Sequence, residues 1–279
     1  MHTLSIGYSP CPNDTFIFNA LIHALVPCPG IELREQLEDV ETLNRLALER
    51  RLDVSKISYH ALGHLRRDYV LLRCGGALGR GCGPLLICRA GQRPTALRAT
   101  TILIPGELTT ANLLLQLHLG GCAVRSVPFE QIMPRLAAGE ADAGVIIHES
   151  RFTYADHGFE QIIDLGQWWE QLTGLPIPLG GIIARRDLPT ALILTLEDAL
   201  RASIDYAYTH PDAAADYISS NAQELSNTVT KAHIDLYVNE FSRDLGDEGL
   251  AAVSELLKRA EHAGLIEACT LPLLAERDS

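Results

Sequence analysis

The sequence predicts a two-lobed α/β fold with a cleft between the lobes. Strand and helix patterns alternate through the first part of the chain, and the pattern of residues 1–100 returns from residue 101. A histidine, His148, follows a buried strand near the end of this second copy. Because chemistry in open α/β sheets collects outside the carboxyl ends of strands, we expect the site where the two copies face each other.

Composition excludes several classes of function. The 279 residues can form one large domain or two ordinary ones. With 47% hydrophobic and 21% charged residues, the chain is typical of a soluble globular protein. A formal net charge of −12 without a basic cluster argues against nucleic-acid binding. No stretch approaches the roughly 18 apolar residues of a membrane span, so no membrane partner is expected.

The cysteines and the N-terminal residues predict a cytoplasmic location. Seven cysteines are scattered without a C-x-x-C motif, which favours free thiols over disulfides or a zinc site, and no metal is expected. The first residues lack both the basic segment and the apolar segment of a signal peptide. The sequence leaves a homodimer open.

The first strand leads into a rigid loop. Residues 3–8 alternate as a strand, residues 9–14 contain two prolines and an Asn-Asp pair, and residues 15–21 predict a helix. Either Asn13 or Asp14 is expected to cap that helix, whose start would favour an anion. An ordinary cap explains the same pattern. Ser9, Asn13 and Asp14 are therefore candidate substrate-binding residues.

A lysine stands out in the third predicted strand. Residues 31–35 predict a strand and residues 40–47 a helix, and residues 53–58 form the next strand. Lys56 and Ser58 share one face of that strand near its carboxyl end. A lysine there either extends to solvent or meets an anionic ligand. Only three of the 23 basic residues are lysines, which favours the ligand.

Glycine is concentrated in residues 74–84, before a strand predicted at residues 85–88. The segment matches neither a phosphate-binding loop nor a dinucleotide fingerprint, because no helix follows directly. Its glycines allow close approach to a ligand or to another loop.

The second half repeats the organisation of the first. Residues 101–106 resemble the first strand, residues 107–110 occupy the place of the proline-rich loop, and residues 111–119 form the helix after it. This duplication suits a periplasmic-binding-protein-like (type II) clamshell. We expect residues 1–91 plus 182–279 to form a large lobe and residues 92–181 a small lobe.

The repeat places His148 beside Tyr59, just past the strand that carries Lys56. Histidine has the unperturbed pKa closest to neutral, so His148 is a candidate general base. The alternative is a histidine that only makes a local hydrogen bond at the strand end. Glu149 either orients a neighbour or is a solvated charge.

The remaining chain is predicted to be helical after a return strand at residues 182–186. Apolar residues recur at helical spacing through 190–209, 211–220, 226–242 and 247–264. These helices are expected to pack on the first lobe. His210, His233 and His262 are interpreted as surface or packing residues.

Four segments carry a family resemblance: Ser-Pro-Cys-Pro-Asn-Asp-Thr-Phe-Ile-Phe at 9–18, Leu-Glu-Asp-Val-Glu-Thr-Leu-Asn at 37–44, Gly-Gly-Ala-Leu-Gly-Arg-Gly at 75–81 and Gly-Val-Ile-Ile-His-Glu-Ser-Arg-Phe-Thr-Tyr at 144–154. In this order they resemble the 1,4-dihydroxy-6-naphthoate synthase family of the futalosine route to menaquinone. The likeness extends through residues 179–187 and covers nearly the whole chain.

The resemblance implies a two-lobed lyase that converts cyclic dehypoxanthinyl futalosine, a small-molecule carboxylate, without a cofactor. It implies that His148 is the base and that Lys56, Ile57, Ser58, Thr109 and Thr110 contact the substrate. Two rival functions remain: a solute-binding protein with the same fold and the sister enzyme chorismate dehydratase.

Overall fold

The computed structural model describes residues 1–148, 150–222 and 226–275. The strands are β1 (His2–Tyr8), β2 (Ile31–Leu37), β3 (Val54–Ser58), β4 (Tyr69–Leu71), β5 (Ala77–Gly79), β6 (Leu85–Arg89), β7 (Ile102–Ile104), β8 (Val124–Ser126), β9 (Ala143–Ile146), β10 (Phe159–Asp164) and β11 (Ile177–Arg185).

The helices are α1 (Pro12–Ile22), α2 (Val40–Leu48), α3 (Tyr59–Leu65), α4 (Thr110–Leu119), α5 (Ile132–Ala137), α6 (Ser150–Thr153), α7 (Leu165–Thr173), α8 (Thr190–Thr209), α9 (Ala215–Asn221), α10 (Asn227–Tyr237), α11 (Glu240–Arg243) and α12 (Gly246–His262). Short 3₁₀ turns at Leu97–Ala99, Phe129–Gln131, Tyr154–His157 and Pro211–Ala214 complete the described elements. None of the described helices combines the length and the apolar character that a membrane span needs.

The strands form two sheets that repeat one topology. The first has the order β2-β1-β3-β11-β4, with β5 paired to β11, and the second has the order β10-β6-β9-β7-β8. In each sheet a first strand pairs in parallel with its two neighbours, and an antiparallel strand follows on one side. The strands β1, β2, β3 and β11 thus correspond to β7, β8, β9 and β6. The internal repeat predicted the correspondence of β1 with β7 and of β3 with β9.

The chain passes between the sheets twice. It leaves the first sheet after β5 and returns to it with β11, since β6 to β10 all belong to the second sheet. Both crossings precede the lobe boundaries that we predicted, because β6 lies before residue 92 and β11 begins before residue 182. The division at those two residues stays a prediction.

Helices cover both faces of the first sheet. Neighbouring residues of a strand point to opposite faces, so Ile182 and Ile183 belong to different buried clusters. The cluster of Ile182 includes residues of α1 and α8, and the cluster of Ile183 includes residues of α3 and α12. The residues at the carboxyl ends of β1 and β3, Ser9 and Ser58, line a cavity.

Two helices predicted as single elements are divided. The predicted helix over 211–220 begins as a 3₁₀ turn before α9, and the one over 226–242 is split into α10 and α11. Val238 has extended backbone dihedrals, and Asn239 then starts α11 through a capping box with Ser242. Because such a cap satisfies the first amides of a new helix, it favours a break at this point.

Candidate active site

A cavity that is partly open to solvent lies between the two sheets. Its wall contains every residue that the sequence analysis selected: Ser9, Asn13, Asp14, Lys56, Ile57, Ser58, Thr109, Thr110 and His148. The first sheet and its helices supply six of them, and the second sheet supplies the last three. The repeat therefore brings loops of both lobes together, while the role of these residues in binding stays a prediction.

The backbone of His148 aims its ring into the cavity. His148 lies two residues after β9 and has a φ of 55°, in the left-handed region that few residues other than glycine adopt. Its ring contacts Phe129 edge to face, with the centroids 5.2 Å apart. Residues held in this region cluster at functional sites, where the surrounding structure maintains the strain. Glu149, the next residue, lies outside the described residues.

Two side chains of the first lobe reach His148 across the cavity. Sγ of Cys11 lies 3.8 Å from Nδ1 of His148. The ring of His233, from α10, is nearly parallel to the ring of His148 with a centroid distance of 6.1 Å. The histidine of one lobe is therefore seated against the other lobe.

Lys56 forms a buried ion pair in the cavity wall. Its Nζ lies 3.3 Å from Oδ1 of Asp14 and donates a hydrogen bond to the carbonyl of Gly75 at 2.6 Å. The two charged side chains are only 7% and 3% exposed. Lys56 therefore already has a carboxylate partner within the chain, which the sequence analysis did not foresee.

Asp14 links the proline-rich loop to this pair. Its Oδ2 accepts hydrogen bonds from the backbone amide and the hydroxyl of Ser9, at 3.2 and 2.7 Å. Nδ2 of Asn13 donates to Oδ1 of Asp14 at 2.8 Å. Oδ1 of Asn13 is buried without a hydrogen-bond partner among the described residues, so it can accept from a ligand.

The expected cap of α1 is wrong. The N-cap is Cys11, and Pro12 occupies the first helical position, so Asn13 and Asp14 lie within the first turn. Proline suits this position because its fixed φ is helical and its missing amide hydrogen leaves nothing unpaired. The helix therefore begins earlier in the chain than predicted, and Asp14 is the counterion of Lys56 rather than the helix cap.

Asn44 positions Ser58 at the end of β3. The amide of Ser58 donates to Oδ1 of Asn44 at 2.9 Å, and Nδ2 of Asn44 donates to Oγ of Ser58 at 3.3 Å. Asn44 is completely buried on α2. The Ser58 oxygen therefore accepts from Asn44, which leaves its hydrogen to donate into the cavity.

The start of α4 forms the wall on the side of the second lobe. Thr109 is the N-cap and accepts from the amide of Asn112 at 3.2 Å, while the hydroxyl of Thr110 donates to the carbonyl of Leu179 at 2.5 Å. The amides of Thr110 and Ala111 have no acceptor within the helix, and both residues line the cavity. Such a helix start attracts a carboxylate.

Contacts between α2 and the loop before α4 hold the lobes together beside the cavity. The Glu41 carboxylate accepts a hydrogen bond from the amide of Leu108 at 3.1 Å, and Arg45 forms an ion pair with Glu107 at 3.3 Å. Burial raises the pKa of Glu41, although the Leu108 amide and Arg45 oppose this effect. The two lobes are thus in contact on this side of the cleft.

Two residues that line the cavity, His233 and Tyr237, were not predicted from the sequence. We grouped His233 with surface and packing residues, but its ring is fully buried and lines the cavity beside Tyr237, with the ring centroids 4.7 Å apart. Burial and, to a smaller extent, the nearby His148 lower the pKa of His233 to about 3. The sequence does contain a signal for this pair: His233 and Tyr237 are four residues apart, which places both rings on one face of a helix. His210 and His262 are exposed, as expected.

Comparison with known proteins identifies the family. Residues 4–262 match the family described as menaquinone biosynthesis. The chain belongs to the menaquinone biosynthesis family. Two relatives in this family are named 1,4-dihydroxy-6-naphtoate synthase, in agreement with the resemblance that the motifs predict. The one from Thermus thermophilus is 52% identical, covering 98% of this chain and 99% of its own. The one from Streptomyces coelicolor is 46% identical and covers 95% of each chain.

Solved structures support the same fold. Protein AF1704 from Archaeoglobus fulgidus is 35% identical, with a TM-score of 0.89 over 95% of this chain and 99% of its own. The alkanesulfonate-binding protein SsuA from Xanthomonas axonopodis pv. citri is 14% identical, with a TM-score of 0.71 over 96% of each chain. The Candida albicans CA3427 product, described as having the generic periplasmic binding protein fold, has a TM-score of 0.66 at 17% identity over 97% of this chain and 92% of its own. The predicted periplasmic-binding-protein-like fold is confirmed.

Proposed function

We propose that this protein is a 1,4-dihydroxy-6-naphthoate synthase of the futalosine route, acting in the cytoplasm. In this proposal it converts cyclic dehypoxanthinyl futalosine to 1,4-dihydroxy-6-naphthoate and releases the former sugar portion as a small carbon fragment. The observation that carries the proposal is the seating of His148 in a two-lobed cavity of a chain whose full-length relatives bear this enzyme name.

His148 is the general base of the proposed reaction. Breaking the bonds between the sugar and the carbocycle begins with removal of a proton from a hydroxyl or a carbon acid, and formation of the aromatic ring favours completion. Histidine is the side chain whose unperturbed pKa lies closest to neutral, so it suits the role of proton acceptor. The overall conversion involves no net oxidation or reduction, so a lyase without a redox cofactor is sufficient.

The start of α4 anchors the substrate carboxylate. The amides of Thr110 and Ala111 point outward at this helix end, and the hydroxyl of Ser58 donates from the opposite wall. Because Lys56 is paired with Asp14, it contributes one remaining N–H rather than an isolated positive charge. The carboxylate is therefore held mainly by neutral donors, and the ring to be cleaved extends towards His148.

Closure of the lobes excludes water from the reaction. Contacts such as Glu41 with the Leu108 amide join the lobes beside the cavity. Exclusion of water strengthens the interactions that orient the substrate and protects reactive intermediates. We expect opening of this side of the cleft to precede substrate entry and product release.

Incubation of the purified protein with cyclic dehypoxanthinyl futalosine tests the proposal. We expect 1,4-dihydroxy-6-naphthoate to accumulate over many turnovers, as followed by liquid chromatography and mass spectrometry. A parallel incubation with chorismate should give no product. Binding of the futalosine substrate without turnover would indicate a solute-binding protein, and dehydration of chorismate alone would indicate the sister enzyme.

A further inference from the structure

The ring of His233 is buried in the cavity wall with both nitrogens unsatisfied. The side chain is completely inaccessible to solvent, and neither Nδ1 nor Nε2 has a hydrogen-bond partner in the part of the chain that the structure describes. A neutral imidazole carries one donor and one acceptor. Because a buried donor or acceptor without a partner costs free energy, this arrangement favours a ligand that supplies the missing partner.

The position of His233 relative to His148 determines where that partner lies. The two rings belong to different lobes, are inclined by only 28° and are separated by 6.1 Å between centroids. This spacing leaves both rings within reach of neighbouring atoms of one small substrate in the cavity that they line. Tyr237, one helical turn further along α10, supports the His233 ring from the same helix.

The environment keeps His233 neutral when His148 gains a proton. Burial disfavours the charged form of His233, and a charge on His148 disfavours it further. His233 therefore retains its acceptor and its donor throughout the reaction. A buried neutral histidine suits the recognition of a hydroxyl or a carbonyl oxygen, but not the binding of a carboxylate.

We propose that His233 is a second substrate-contacting histidine, which hydrogen-bonds a hydroxyl or carbonyl oxygen adjacent to the atom that loses its proton to His148. This inference rests on the proposed function and adds a residue to it. The start of α4 holds the carboxylate, His233 holds the oxygen near the reacting centre, and His148 removes the proton. The contact places the reacting atom against the base.

Two substitutions separate hydrogen bonding from packing. His233→Phe keeps an aromatic ring but removes both nitrogens, whereas His233→Gln keeps a donor and an acceptor but loses the ring. We expect His233→Phe to lower kcat/KM about 10- to 100-fold, as for the loss of a buried hydrogen bond to substrate, and His233→Gln to retain within about fivefold of the wild-type value. His118→Phe is the matched control, since His118 also has a buried, unpartnered Nδ1 but packs on Trp168 outside the cavity.

A direct readout accompanies the kinetics. In protein labelled with ¹⁵N-histidine, saturating 1,4-dihydroxy-6-naphthoate should shift the ring nitrogen signals of His233 and leave those of His118 unchanged. Melting temperatures establish that each variant is folded, and the labelled wild-type protein decides the question if His233→Phe does not fold.

The outcomes distinguish this inference from the function on which it rests. A wild-type protein that does not convert the futalosine substrate overturns the proposed function. If the wild-type protein is active, two results would overturn the role of the His233 nitrogens and leave the proposed function intact. One is a His233→Phe variant whose kcat/KM stays within about threefold of the wild-type value, and the other is an equal loss of activity in both variants. Unchanged His233 signals in the presence of bound product lead to the same conclusion.

Discussion

Sγ of Cys11 lies 3.8 Å from Nδ1 of His148, and the two residues belong to different lobes. Cys11 caps α1, and His148 follows β9 in a left-handed backbone conformation. A thiol is a weak donor and a weak acceptor, so this contact orients the imidazole without fixing its charge. The proposed base therefore has its contact with Cys11 only when the two lobes are together.

Replacement of His148 tests the base directly. We expect His148→Asn to lower kcat about 10²- to 10⁴-fold, because a general base contributes on this scale, while product affinity changes little. Steady-state kinetics and calorimetric titration with 1,4-dihydroxy-6-naphthoate measure the two effects. The exposed His157 of the same lobe provides the control His157→Asn, which should behave as wild type. Near-normal kcat in His148→Asn would refute the assignment.

Loss of the Cys11 thiol should have a small effect on turnover. We expect Cys11→Ala to lower kcat by no more than about fivefold, as for one weak hydrogen bond, and Cys11→Ser to restore most of it. Cys28→Ala, at another partly exposed free thiol outside the cavity, is the control. A hundredfold loss in Cys11→Ala, with normal folding, would show that the thiol does more than orient the ring.

We expect loss of the buried pair of Lys56 and Asp14 to lower the free energy of unfolding more than it weakens substrate binding. Lys56→Met leaves the Asp14 carboxylate buried without its counterion, and we expect a loss of about 3–5 kcal/mol in the free energy of unfolding. The double variant Lys56→Met/Asp14→Asn should recover part of this loss. Urea unfolding measures both.

The exposed pair of Lys231 and Asp235, with 2.6 Å between Nζ and Oδ2, is the matched control. Lys231→Met should change the free energy of unfolding by about 0.5 kcal/mol or less, because solvent screens this pair. Equal effects of the substitutions at Lys56 and Lys231 would contradict the structural role of the buried pair.

Gly180 is required by the close approach of β11 to β3. A Cβ on Gly180 would lie 2.7 Å from the carbonyl oxygen of Ile57, and this backbone atom cannot move without shifting the strand that carries Lys56 and Ser58. We expect Gly180→Ala to raise KM and to lower the melting temperature. Gly249→Ala, inside α12 where the nearest atoms are side chains at 3.3 Å, should change stability by less than about 1 kcal/mol.

Acid should destabilise the protein through two buried histidines. Burial lowers the pKa of His233 to about 3 and that of His60 to about 4, from an ordinary value of 6.5. Both stabilise the fold above pH 6.5, and this contribution is lost as the pH falls towards the folded-state values. Between pH 7 and pH 5 each should cost about 2 kcal/mol, because the unfolded chain binds the proton more readily. Urea unfolding at both pH values should show a smaller loss in His233→Phe.

The order of strands and helices and the position of the proposed base follow from the sequence alone. Alternation and helical spacing are properties of neighbouring residues, so the elements that bear the cavity, including β3 and α4, were predicted within a few residues of their observed bounds. The repeat also placed His148 at the edge of a second sheet built like the first.

The partners of these residues were decided by the tertiary structure. Lys56 is adjacent to Asp14 because β3 lies beside β1, whose end leads into α1. His233 enters the cavity because α10 packs against α1, although it lies 85 positions after His148 in the chain. Local patterns show which face a side chain occupies, but only the packing of distant elements determines which faces meet. The proposed base was therefore visible in the sequence, whereas its proximity to His233 became visible only in the fold.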